Sequence, residues 1–238
     1  MPKQSSRDLK TLLPHAWLGV LALLAAQAHA GRPLTTEDAG AEATAQCHIE
    51  GWIDSDTQGR ARHVSPACGV LEGLELSIDK VQVSPADTLP QGQGIALKWA
   101  PDWFALGALR GGLKVGVNEE KAPGASGWRQ SSSEFMGLAT YTFTPRWAAH
   151  LNFGRRADKL AGTTHNTYAT ALTWAVHERW QLHAEAFGKR HGPATLQAGV
   201  RYWALPDELA IDATAGRTNA TPDSRTWGLG VGWYGFKF

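Results

Sequence analysis

From about residue 45 onward, apolar and polar positions alternate in short runs, each bounded by turn-forming residues. A period of two puts successive side chains on opposite faces of a strand, so each run predicts a strand with one apolar face. The clearest runs lie toward the C-terminus. Tyr168, Leu172, Trp174 and Val176 share a face against Thr167, Ala169, Ala171 and Thr173. Trp180, Leu182, Ala184 and Ala186 oppose Gln181, His183, Glu185 and Phe187, and Leu196, Ala198, Val200 and Tyr202 oppose Gln197, Gly199, Arg201 and Trp203. Leu209, Ile211, Ala213 and Ala215 oppose Ala210, Asp212, Thr214 and Gly216. Counting back from residue 238, strands are expected near 225–238, 207–217, 195–204, 179–188, 166–176, 147–156, 133–144, 107–117, 92–100 and 71–82, with a hairpin between Gln46 and Cys68. The total is about twelve, or about ten if the first hairpin lies outside the wall. No run has helical period and no linker interrupts the series, so residues 45–238 read as one all-β domain.

The connections alternate in length. Thr144-Pro145-Arg146, His177-Glu178 and Leu205-Pro206-Asp207 are tight turns, whereas Asn118–Ser132, Ala157–His165, Lys189–Ala194 and Arg217–Ser224 read as longer polar loops. Short turns at one end and long loops at the other characterise transmembrane barrels. A soluble sandwich has no reason to alternate so regularly. Eleven Trp in 238 residues suit a membrane-interface belt, where the ring is buried and its N–H stays wet. The expected fold is thus a single antiparallel transmembrane β-barrel.

The first thirty residues read as a cleaved signal peptide. Lys3, Arg7 and Lys10 precede an apolar run from Leu12 to Ala26, and Ala28-His29-Ala30 has the small-x-small form of a cleavage site. The apolar run falls short of the roughly 20 residues that a spanning helix needs. No cysteine follows the cut, which argues against a lipoprotein. Residues 31–44 are expected as a periplasmic lead-in. Removing the signal takes the formal charge from +1 to −1, and a near-neutral chain without a basic run has no electrostatic footprint for nucleic acid.

The chain ends Trp227-Gly-Leu-Gly-Val-Gly-Trp-Tyr-Gly-Phe-Lys-Phe238. This resembles the terminal strand of bacterial outer-membrane proteins, which implies the barrel-assembly machinery as a partner and Tyr234, Phe236 and Phe238 as the assembly signal. Upstream, Trp233, Val231, Leu229 and Trp227 fall in the opposite phase, so a bulge near Tyr234-Gly235 is expected to join the two.

Cys47 and Cys68 are equidistant from a turn centred between Thr57 and Gln58. Opposed positions of an exported hairpin predict a disulfide near the periplasmic end. The two cysteines are not expected to form a metal site. If Leu182, Val200 and Ile211 face lipid, then Glu185, Arg201 and Asp212 face inward and could form a cross-strand ladder. Glu75, Lys98 and Arg110 offer a similar trio. Such groups act either as a charged constriction that sorts solutes or as ion pairs that fill a narrow lumen. The second is favoured, because paired charges leave little net field.

No catalytic constellation emerges. His183 and Glu185 share a face without a convincing serine beside them, and Ser131-Ser132-Ser133 falls in an expected loop. There is no Gly-x-Ser-x-Gly elbow and no His-Glu-x-x-His. Gly92-Gln-Gly94 lacks the strand-then-helix context of a phosphate loop, and His48, His63 and His165 lack metal-ligand spacing. No cofactor is implied.

Gly31-Arg-Pro-Leu-Thr-Thr-Glu-Asp-Ala-Gly40, with Cys47-x-Ile-Glu and Arg201-Tyr-Trp-x-Leu-Pro-Asp207, resembles proteobacterial outer-membrane proteins of the "meta-pathway of phenol degradation" transporter type. The resemblance implies a barrel in the Gram-negative outer membrane, contact with its lipid and passage of small molecules, and it assigns no catalytic residue. The expected function is a passive channel for an unidentified small molecule, with aromatic or hydrophobic solutes among the options. A structural or adhesive barrel with binding outer loops is the alternative, and a barrel hydrolase ranks behind both.

Overall fold

The computed structural model describes residues 34–57, 59–220 and 224–237, so the expected signal peptide and Phe238 lie outside the described residues. Twelve strands form among them: β1 (Gln46–Ser55), β2 (Arg60–Leu71), β3 (Leu74–Ser84), β4 (Gln91–Trp99), β5 (Leu109–Lys121), β6 (Arg129–Thr144), β7 (Trp147–Asp158), β8 (Thr163–His177), β9 (Trp180–Lys189), β10 (Ala194–Leu205), β11 (Leu209–Thr218) and β12 (Ser224–Lys237). Each pairs antiparallel with its chain neighbours, and β1 closes on β12 from Gln46↔Lys237 to Ser55↔Trp227. Closure pairs the whole wall and leaves no open edge.

The alternation in the sequence decides which face is which. Ile78, Phe135, Phe153, Leu196, Ile211 and Leu229 are each more than half exposed on the outer face, while the largest fully buried side chains are Arg201, His150, Asn152, Thr36 and Ser132. A protein dissolved in water would carry the reverse arrangement. An apolar exterior around a polar interior suits a wall set in lipid.

The end where β1 begins and β12 finishes is called proximal here, and the opposite end distal. Trp147 stacks on Trp174 with ring centroids 5.0 Å apart, and Trp180 packs against Tyr202 at 4.7 Å. All four lie within a few residues of proximal turns, where an aromatic girdle is expected. Not every tryptophan joins it. Trp52 faces inward and stacks on His63 at 4.4 Å, and Trp203 packs beside the inward-facing Tyr234.

The bulge expected in β12 is present. Cys47 pairs with Phe236 but Ile49 with Trp233, so β12 carries one extra residue there. Gly235 absorbs it at φ +75°, a conformation that glycine adopts without strain. Phe236 then packs beside Trp233, while Tyr234 turns inward and is 5% exposed. Tyr234 therefore does not share the phase of Phe236, contrary to the alternation read along the terminus.

The loops differ from expectation; the β7–β8 connection, for one, is 159–162 in place of Ala157–His165. β5 and β6 pair as far as Glu120↔Arg129, leaving 122–128 as the connection in place of Asn118–Ser132. Ser131, Ser132 and Ser133 belong to β6. Backbone pairing continues past the apolar zone because the ladder needs no apolar side chains. At the proximal end, 100–108 is not a tight turn but holds a short 3-10 turn at Asp102–Phe104. Cys47 and Cys68 are directly paired in the β1–β2 ladder and disulfide-bonded at the proximal end.

Candidate functional site

The interior holds more than wall side chains. Residues 34–44 do not hang below the barrel as the expected lead-in; they run inside it. Thr44 bridges Gly69 of β2, and Ala45 N–H donates to the Gly69 carbonyl at 2.8 Å. A Cβ at Gly69 would lie 2.4 Å from the Glu42 carbonyl oxygen and 2.3 Å from that of Ala43. Glycine is what lets the segment cross the wall so closely.

From there the anchors move around the ring. Glu42 N–H donates to Glu75 Oε2 of β3 at 2.9 Å. Ala39 N–H donates to Thr140 Oγ1 of β6 at 2.9 Å. Glu37 N–H donates to Asn152 Oδ1 of β7 at 2.7 Å, and Asn152 Nδ2 returns a bond to the Glu37 carbonyl at 2.8 Å. At the far side, Thr35 and Thr36 N–H both reach the Glu185 carboxylate of β9, at 3.0 and 2.9 Å, and Thr36 Oγ1 donates to it at 2.8 Å. In a ring of twelve, β3 and β9 stand opposite, so the segment spans the lumen.

Charge reinforces this docking. Lys98 Nζ lies 3.1 Å from Glu75, 3.6 Å from Glu37 and 3.8 Å from Asp38. Lys114 forms a hydrogen-bonded ion pair with Glu37. Burial opposes ionisation of Glu37, but the ammonium groups of Lys114 and Lys98 outweigh it and hold its carboxyl at about 2. Glu42 in turn accepts from His48 Nδ1 at 2.8 Å.

Behind Ala39, a polar chain runs along the inner face of the wall. Thr140 Oγ1 and His150 Nδ1 are 3.0 Å apart, His150 Nε2 and Thr173 Oγ1 3.3 Å, and Thr173 Oγ1 donates to the Ala148 carbonyl. Each group is satisfied when a neutral His150 carries its proton on Nε2, accepts from Thr140 and donates to Thr173.

On the opposite wall Arg201 grips Asp212 with two bonds, Nε to Oδ1 at 2.8 Å and Nη2 to Oδ2 at 3.2 Å. Nη2 also donates to Tyr234 Oη at 2.8 Å, whose hydroxyl donates to Glu50 Oε1 at 2.6 Å. The guanidinium lies over the Trp203 and Tyr234 rings. Removing one member of such a buried pair costs about 3–5 kcal/mol, because the other charge is stranded. The network braces the wall where β10, β11, β12 and β1 meet. A cavity of about 1050 Å³ remains around the segment, bounded by it and by wall groups that include Trp52, Asp54, His63 and Asn118.

The structure sorts the residues singled out in the sequence. Arg201 and Asp212 pair as expected, and so do Glu75 and Lys98. Glu185 does not extend the Arg201 ladder: it faces Gln197, while Arg201 faces Gln181. The hairpin turns around His191, at φ +63°, rather than around Pro193, which shifts the register and frees Glu185 for Thr35 and Thr36. Arg110 leaves the second trio because it pairs with Asp102 of the long proximal connection at 2.7 Å. Lys114 stands opposite Lys98 in its place.

The sequence reading missed Lys114, Thr140, His150 and Asn152, all in the inward phase of their strands. It also missed Glu37, Asp38 and Glu42, whose closeness in a segment without strand pattern was the available signal.

The family model described as "Uncharacterised conserved protein UCP029691" matches residues 19–233. The chain belongs to this family. No curated protein matches it significantly. Among solved structures, the fold is similar to that of the KdgM porin, with a TM-score of 0.61 at 10% identity over 78% of this chain and 98% of that one. The NanC porin matches with a TM-score of 0.58 at 10% identity, over 81% and 100% of the two chains. A third structure, the CymD monoaromatic hydrocarbon channel, matches with a TM-score of 0.50 at 10% identity over 82% and 90%. At such identities the likeness is one of fold. Of the resemblance to the phenol meta-pathway type, these likenesses bear out the barrel fold.

Proposed function

We propose that the protein is a passive channel for small polar solutes in the Gram-negative outer membrane, without enzymatic activity, and narrowed at rest by residues 34–44. Its proximal end faces the periplasm, and Phe236 and Phe238 present the terminal signal to the assembly machinery. One observation carries this reading: the polar interior is crossed by a segment that is held through side-chain contacts, is set apart from a wall that is already closed, and leaves a cavity of about 1050 Å³ beside it. Porins and channels with this fold support it. The hydrophobic solutes considered from the sequence suit the lumen less well, since Lys98, Lys114, Glu75 and Glu185 line the path.

Solute flux into liposomes tests the reading. A variant lacking residues 34–42 is expected to pass small solutes faster than the full chain. Flux through the folded deletion variant no greater than through protein-free vesicles would reject the channel and favour a structural barrel. Recovery in the outer-membrane fraction, with heat-modifiable gel migration, checks the location.

A further inference from the structure

The anchors that hold the N-terminal segment are mostly directed at its backbone. Asn152 pairs with both the N–H and the carbonyl of Glu37, as one peptide group pairs with another. Thr140 and Glu75 accept from the N–H groups of Ala39 and Glu42, and Glu185 accepts from two consecutive N–H groups. Of the segment's side chains, the Glu37 and Asp38 carboxylates are met by Lys98 and Lys114, the Glu42 carboxylate by His48 and the Thr36 hydroxyl by Glu185. Such a site recognises the backbone of an extended peptide and the carboxylates along it.

We infer that this interior surface is a binding site for acidic oligopeptides, occupied in this structure by the protein's own residues 34–42 as an intramolecular ligand. The site is built: Asn152 is 1% exposed and Glu185 5% exposed, and both make hydrogen bonds with the occupant. Vacating it removes the carboxylates of Glu37 and Asp38 from Lys98 and Lys114, leaving the two ammonium groups with the wall carboxylates of Glu75 and Glu134. Lys114 then lacks the carboxylate with which it was hydrogen-bonded, and an incoming peptide carboxylate takes that place. A peptide in solution must compete with a tethered segment whose effective concentration is in the millimolar range, so the tethered form masks the site. The inference rests on the channel reading only for the route by which a peptide arrives.

The test uses the full chain, with a protease recognition sequence inserted between Glu42 and Ala43 and cut after folding in detergent. The probe is a fluorescent peptide of residues 34–42 with blocked ends, and binding is read by anisotropy. One control carries Glu37→Gln, Asp38→Asn and Glu42→Gln; another keeps the charges but is N-methylated at the amides of Thr36, Glu37 and Ala39.

The acidic peptide is expected to bind at least about tenfold more tightly than either control, and Lys98→Gln with Lys114→Gln should abolish the advantage of charge. A barrel variant that simply lacks residues 34–42 should bind the probe equally, which guards against incomplete release. Absence of binding to both the cut and the deleted form overturns the inference. Equal binding of the N-methylated peptide also overturns it, since any anion would then suffice. Binding without solute flux would reject the channel and leave this site standing, and flux without binding would do the reverse.

Discussion

Asn152 and Glu37 exchange two hydrogen bonds across the lumen, at 2.7 and 2.8 Å, the pairing that adjacent strands make with each other. A wall side chain thus does for the segment what a neighbouring strand would do. Each bond contributes a net of about 0.5–1.5 kcal/mol. Asn152→Ala is therefore expected to weaken docking by about 1–3 kcal/mol, raising the undocked fraction about 5- to 150-fold. Protease cleavage within residues 34–42 should accelerate accordingly while the gel migration of the folded barrel stays the same. An unchanged cleavage rate would show that Asn152 does not hold the segment.

Docking should also depend on acidity, through Glu37. Docked, its carboxyl is held at about 2; undocked, it returns toward the ordinary 4.5. A group whose value is depressed in the docked state contributes fully above its undocked value and loses that contribution as pH falls toward the docked one. The contribution of Glu37 to docking is thus expected to be lost between about 4.5 and 2. Segment cleavage by an acid-active protease, or current through a planar bilayer, should rise in that window. Glu37→Gln should dock more weakly at pH 7 and show a smaller dependence below 4.5.

The Cys47–Cys68 bond joins residues 21 apart in sequence that already face each other in the ladder. Closing so short a loop stabilises by about 3 kcal/mol at most in the chain-entropy model. Replacing both cysteines by serine is expected to lower the denaturant midpoint and slow assembly without opening the lumen. Thiol labelling of the denatured, unreduced chain should find no free thiol, and two per chain would refute the bond. Liposome flux of the double variant should match that of the parent.

Much of the wall was legible because strand period and lipid contact act residue by residue. Leu182, Val200 and Ile211 announce an outer face, and Glu185, Arg201 and Asp212 an inner one, without knowledge of any neighbour. The terminal phase change at Tyr234-Gly235 was readable for the same reason, since only an extra residue reconciles Trp233 with Phe236. Cys47 and Cys68 were readable because one hairpin relates them. Register across a longer loop was less secure. With Pro193 as centre Glu185 meets Arg201, whereas the turn around His191 sets it against Gln197.

By itself, then, the sequence determined a closed antiparallel wall of about twelve strands, its two faces, its terminal bulge and its disulfide, since each follows from local period or from the symmetry of a single hairpin. The tertiary structure alone decided what fills the wall. Residues 34–44 have no strand pattern, and their partners Glu75, Thr140, Asn152 and Glu185 lie on four different strands. Those side chains converge only after the ring closes, because barrel closure, and no sequence neighbourhood, brings β3 and β9 to opposite sides of one lumen within reach of a single extended segment.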